Sequence, residues 1–158
     1  MAIVNTLGYT AKPKDPLYGN GIYPRIVQAA ISITSGAADG DVHILARNLP
    51  YSAKIIGIRF PFGSAVVTDL TDVDFGLHRS DNNAVVDKDI LVDGISFAAA
   101  RTYAIDILSA DKTKTIAELL GVSPESEPSG GVNVTATVNT QGAGVGTIEA
   151  EILIQFPA

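Results

Sequence analysis

The chain has 158 residues, 46% apolar and 18% charged, with a net charge of −6. This composition suits a single folded domain and excludes a disordered chain, and the acidic balance argues against nonspecific affinity for nucleic acid. The absence of cysteine excludes disulfides, thiolate metal sites and a cysteine nucleophile.

Residues 1–24 hold Pro13, Pro16 and Pro24 with Gly8, Gly19 and Gly21. Proline fixes φ and removes a donor, so neither a regular helix nor a central strand is expected there. The same stretch carries Tyr9, Leu17, Tyr18, Ile22 and Tyr23, too many large apolar groups for a purely solvated tail. It reads as an extended arm lying against its own body or a neighbour, with residues 25–158 as one β domain. The opening MAIVNTLGYTAKPKDP lacks a basic start followed by a sustained apolar run, so no signal peptide is expected. No stretch reaches the roughly 18 apolar residues of a membrane span. The expectation is a soluble protein made in the cytoplasm. Charge divides along the chain: residues 1–59 carry six Lys/Arg against three Asp, and residues 60–158 five against fourteen acidic groups.

With no Trp, five Phe and five Tyr, the core must come mainly from Ile, Val, Leu and Ala. RIVQAAISIT (25–34) is β-branched and partly alternating. After the loop SGAADGD, DVHILARN (41–48) places Val42, Ile44 and Ala46 on one face. AKIIGIRFPF (53–62) places Ile56, Ile58, Phe60 and Phe62 together, with Ile55 on the other side. TDVDFGLHR (71–79) sets Val73, Phe75 and Leu77 inward and Asp72, Asp74, Gly76 and His78 toward water.

SDNNA (80–84) is a turn, and DKDILVDG (87–94) reads as either a short helical turn or a broken strand. TYAIDILS (102–109) alternates again. DKTKTIAELLG (111–121) is the helix signal: Thr115 and Glu118 form a capping box, and Gly121 is a suitable stop. VSPESEPSGG (122–131) is a loop. VNVTATVN (132–139) and GTIEAEILIQF (146–156) alternate cleanly around TQGAGVG and are expected to form an antiparallel hairpin. The fold expected is all-β, a β-sandwich or jelly roll of about six to eight strands with one short helix and an extended N-terminal arm.

A search for chemistry yields little. His43 and His78 both sit on strands, outward by alternation. His78 lies about 13 Å along its strand from Asp74, too far for one metal to bridge within that strand. Asp72 and Asp74 form a lone Asp-x-Asp, which alone is weak support for a cation site. GAGVG (142–146) lacks the Lys-Ser/Thr of a phosphate loop, and no Gly-x-Ser-x-Gly elbow is present. The carboxylates of DKD (87–89) and PESEP (124–128) fall in expected loops with no reason to be desolvated. No catalytic residue, metal ligand or cofactor site is assigned, and no enzyme is expected.

Taken in order, HILARN, PYSAKIIGIRF, DVDFGLHRS, AVVDKDIL, the ELLG helix and the closing IEAEILIQF give residues 36–158 a texture that resembles the small decoration (cement) proteins of tailed-bacteriophage capsids. The segment 1–35 is long for such proteins, which leaves a head fibre, tail or other virion component open. The resemblance implies a structural virion protein on the capsid surface, bridging junctions between copies of the major capsid protein. It implies a homo-oligomer, with no nucleic acid, membrane or small-molecule substrate as partner. Tyr9, Leu17, Tyr18, Ile22 and Tyr23 of the arm would be amphipathic anchors, with Lys12, Lys14 and Arg25 adding charge complementarity. A carbohydrate- or surface-binding sandwich is the alternative, with Tyr51 or Tyr103 as the aromatic groups for stacking. A hydrolase assembled from distant carboxylates is a third reading.

Overall fold

A computed structural model describes residues 3–4, 25–34, 38–60, 67–99, 104–105, 111–140 and 142–156. The strands in chain order are β1 (Ile3–Val4), β2 (Arg25–Ile33), β3 (Val42–Leu49), β4 (Lys54–Arg59), β5 (Asp72–Arg79), β6 (Val85–Ile95), β7 (Ala104–Ile105), β8 (Val132–Thr140) and β9 (Gly146–Gln155). Among the described residues, one α-helix, α1 (Ile116–Leu120), and a single 3-10 turn (Pro124–Ser126) precede β8. One sheet runs β1-β3-β8-β5-β6 and the other β2-β9-β4-β7.

The pairings are nested. β2 pairs with β9, β3 with β8, β4 with β7 and β5 with β6, all antiparallel. This is one long hairpin of eight strands, rolled so that successive ladders fall in alternate sheets. The β4–β9 and β5–β8 ladders close the roll. Such nesting is the jelly-roll topology. β1 and β7 span two residues each, so seven longer strands carry the sandwich, within the number expected from the sequence.

The inner faces meet in one apolar core. Val73, Phe75 and Leu77 of β5 pack with Val134, Ala136 and Val138 of β8, and with Ile148, Ala150, Ile152 and Ile154 of β9. Phe60, Phe75 and Phe97 meet edge to face, with centroids 4.9–6.4 Å apart. Burying each such side chain contributes about 1.5–3 kcal/mol.

Three expectations change. The two closing strands do not form a hairpin: β8 lies in the five-stranded sheet and β9 in the four-stranded one. Residues 142–146 therefore cross between sheets, with Gly142 and Gly144 resting on the Thr68–Asp69 turn. In β3, the register moves from Ile44↔Thr135 to Ala46↔Val134, a one-residue bulge. Val42 and Ile44 accordingly share the outer face with Thr137 and Thr135, while Ala46 turns inward. In β4 a bulge between Ile55 and Gly57 makes Ile55, Ile58 and Phe60 the core residues, and Ile56 turns out. Phe62 lies outside the described residues.

DKDILVDG is the broken strand: β6 shows three register shifts against β5. The helix is as read. Thr115 Oγ1 accepts from the Glu118 N–H at 3.3 Å, the Glu118 carboxylate accepts from the Thr115 N–H at 2.7 Å, and Gly121 closes α1 at φ 66°. No helix among the described residues is long and apolar enough to cross a membrane.

Candidate functional site

The outer face of the five-stranded sheet holds a layer of ionisable groups between β5, β6 and β8. Against Phe75↔Val92 and Leu77↔Asp87, β6 uses five steps where β5 uses two. The excess residues fold over Gly76, whose missing side chain leaves room for the backbone of Asp87 and Lys88. This lid brings Lys88 and Asp89 toward Asp74, and Asp93 reaches it from just beyond the lid.

Asp74 is the centre of the layer, with its side chain only 2% exposed. It accepts from the Gly94 N–H at 3.0 Å, from Asn139 Nδ2 at 2.5 Å and from Lys88 Nζ at 3.0 Å. Asn139 Nδ2 also reaches Asp72 at 3.2 Å, and its Oδ1 accepts from Lys88 at 3.1 Å. Burial pushes the Asp74 carboxyl up, but the donors from Asn139, Gly94 and Lys88 outweigh it and hold the group below the ordinary range. The charge of Asp74, with some burial, lifts Asp93 above that range. Asp87 is raised by burial and by Asp89.

Ligand atoms of Asp74, Asp89 and Asp93 lie within 4.8 Å of one another. Such oxygens suit a hard cation or a shared proton. Asp89 and Asp93 are exposed, and Lys88 already places a cation on Asp74. Lys88 thus offsets one of the five carboxylates of the layer, and the like charge that remains helps to raise Asp93 and Asp87.

This geometry corrects the reading of Asp74, Gly76 and His78 as a wet face and of DKD as a loop, while Asp72 stays partly exposed. Asp74, Gly76 and His78 are buried, and DKD is part of β6. The signal for the lid was Gly76, a glycine inside an otherwise regular strand.

The two histidines are buried as well: His78 keeps the outward side of β5 but is covered, and His43 turns inward. His78 Nδ1 stands 2.8 Å from Thr135 Oγ1, which donates to the Gly76 carbonyl at 3.3 Å. Because the hydroxyl proton goes to Gly76, the imidazole donates from Nδ1 and leaves Nε2 without a partner. His43 pairs opposite Ala136 of the inner-facing row, and neither of its ring nitrogens has a partner. Burial lowers both imidazoles, opposed at His43 by the charge of Asp41.

Of the residues expected to make partner contacts, Arg25 is described: it begins β2, is exposed, and holds its guanidinium 5.3 Å from the Phe156 ring centroid. Tyr9, Lys12, Lys14, Leu17, Tyr18, Ile22 and Tyr23 lie outside the described residues, as does Tyr103. Ile3–Val4 pairs in parallel with Val42–His43. Tyr51 is 6% exposed within the core, and this overturns its use as a sugar-stacking group.

No family model matches the chain, and no curated protein matches it. Among solved structures, the chain is similar to one from a structure titled "Capsid of Ralstonia phage GP4", with a TM-score of 0.65, 14% identity and 99% of each chain covered. At that identity the likeness concerns the fold. It extends over the whole jelly roll.

Proposed function

We propose that this protein is a structural component of a bacteriophage virion, which binds the outside of the assembled capsid and stabilises it by bridging capsid-protein junctions. The observation that carries this reading is the full-length match of its jelly roll to a chain in a phage capsid structure. The residues supply a physical rationale. A closed, rigid β domain adds the same contact area at every copy, and many modest contacts sum through multivalency. The carboxylate layer fits this role as a structural clamp that ties β6 to β5, without a catalytic task.

In this reading the major capsid protein is the partner. Tyr9, Leu17, Tyr18, Ile22 and Tyr23 anchor the arm, while Lys12, Lys14 and Arg25 orient it on an acidic neighbour. The site of action is the virion surface after synthesis in the host cytoplasm, and no cofactor takes part.

The test is binding to purified shells that lack the protein. Full-length chain and a chain without residues 2–24 are compared by co-sedimentation, with circular dichroism reporting the fold. The reading expects full-length protein to saturate the shells and the shortened, folded chain to bind weakly. Equal occupancy by both rejects the arm's role. Absence of the full-length chain from shells, with its recovery on tails or fibres, rejects decoration.

A further inference from the structure

Among the described residues, four strands end the two sheets, and they are treated very differently. β1 and β7 are two residues long. β6 is blunted by Asp87, Lys88, Asp89 and Asp93, by Gly94 at φ 66°, and by three breaks in register. These are the ordinary devices that stop a sheet edge from recruiting another chain.

β2 has none of them. It pairs with β9 over nine residues in unbroken register, from Arg25↔Ile154 to Ile33↔Gly146. RIVQAAISI contains no proline or glycine, and its only charge is its first residue. Among the described residues no backbone hydrogen bond joins the far edge of this strand. About half of its N–H and C=O groups therefore point away from β9, toward an edge that no other described strand occupies. At the same edge Ile26 is 52% exposed.

We propose that the free edge of β2 pairs with β2 of a second copy of this chain, antiparallel and centred on Ala29, joining two four-stranded sheets into one. Directly opposed residues share a face, so the pairing must preserve parity; a shift of one residue would set core-facing against outward positions. Centring on Ala29 uses all nine residues. Val27 then meets Ile31 of the copy, Gln28 meets Ala30, Ile26 meets Ser32 and Arg25 meets Ile33. No like charges oppose each other, so the edge is complementary to itself. A two-fold pair also consumes both open edges and leaves none for further growth, as an unprotected strand requires. A foreign strand would need a complement of its own, and nothing on β2 selects one.

This inference does not rest on the capsid reading, because association in solution is measurable without a shell. Full-length protein is followed by light scattering from about 1 to about 100 μM, with amide exchange read over Ile26–Ile33. A dimer whose β2 amides slow as it forms is expected. Ile26→Lys with Ser32→Lys opposes lysines twice across the proposed axis, at positions that face the uncharged Leu153 and Thr147 of β9, and should weaken the dimer about tenfold. Ile26→Lys with Ser32→Glu places opposite charges there and should restore it. Both positions face outward, so circular dichroism should be unchanged. A native chain that stays monomeric throughout overturns the proposal. So does a double-lysine variant as tightly paired as the native chain, or a lysine–glutamate variant that fails to recover. Protection of the β2 amides only on addition of another virion protein would assign the edge to a foreign strand and overturn it too.

Discussion

Gly76 of β5 lies directly beneath the backbone of Asp87 and Lys88 of β6, in a space where no side chain fits. That single contact lets β6 fold over the outer face of the sheet, buries Asp74 and His78, and carries Lys88 to its carboxylate partner. A one-atom absence in β5 thus organises the layer around Asp74.

Gly76→Ala should therefore displace the lid rather than merely perturb β5. Overpacking of this kind costs about 3 kcal/mol. Urea unfolding should show that loss, and amide exchange should speed up across Asp87–Leu91 before the rest of the domain. A variant as stable as the native chain would contradict the contact.

Asp74 and Lys88 should respond asymmetrically. Asp74→Ala strands the Gly94 N–H and the Asn139 amide and should cost about 1–3 kcal/mol. Lys88→Met removes a half-exposed ammonium, leaves those two donors in place, and should cost less than the Asp74 change. Denaturant midpoints of both single variants and the double variant would measure the coupling. The Asp74 contribution has a defined sign with pH. Its folded pKa is lowered, so the stabilisation is complete above the ordinary value near 3.8 and is lost as pH falls through the lowered one. Asp93, which is raised, acts in the opposite sense: the cost of its charge next to Asp74 appears as pH rises through its raised value.

His43 should set the acid response at milder pH. Its folded pKa is lowered from 6.5 by burial, so the unfolded chain takes up a proton first. Stability should be full above pH 6.5 and fall as pH drops toward the lowered value, by up to about 1.4 kcal/mol per pH unit for this one group. His43→Leu should flatten that part of the profile, leaving the contribution of His78. Thermal melts at a series of pH values provide the measurement. An unchanged slope would place the titration elsewhere.

Thr115→Ala removes the reciprocal cap of α1 and should cost about 1 kcal/mol. The helix is only five residues long, and its first N–H groups donate to the Ala53 and Tyr51 carbonyls at 2.8 and 3.1 Å. The loss should therefore appear as faster exchange at Glu118, whose N–H loses the Thr115 hydroxyl, more than at Ile116 and Ala117. Thr115→Ser should recover most of it.

The helix was fully legible because all its determinants are local: the Thr115 hydroxyl, the Glu118 carboxylate one turn on, and the left-handed Gly121. The inward rows of β5, β8 and β9 were legible for the same reason, since alternation along a strand needs no partner to be read. The face of Ala46 was not, because a bulge is a property of two strands, and neither β3 nor β8 announces it alone. The convergence of Asp74 with Asp89 and Asp93 was hidden likewise, for it depends on how much of β6 loops over Gly76.

By itself the sequence determined the class of the protein: short amphipathic strands, one capped helical turn, and a core of Ile, Val, Leu and Ala with a few Phe. Tertiary structure alone decided which strands met. VNVTATVN and GTIEAEILIQF are adjacent in the chain and equally fit to pair, yet each finds its partners at long range, β8 with β3 and β5, β9 with β2 and β4. Backbone hydrogen bonds are the same for any pair of strands, so pairing is chosen by the burial of whole faces. Rolling the chain closes a core between two sheets, which a local hairpin cannot do.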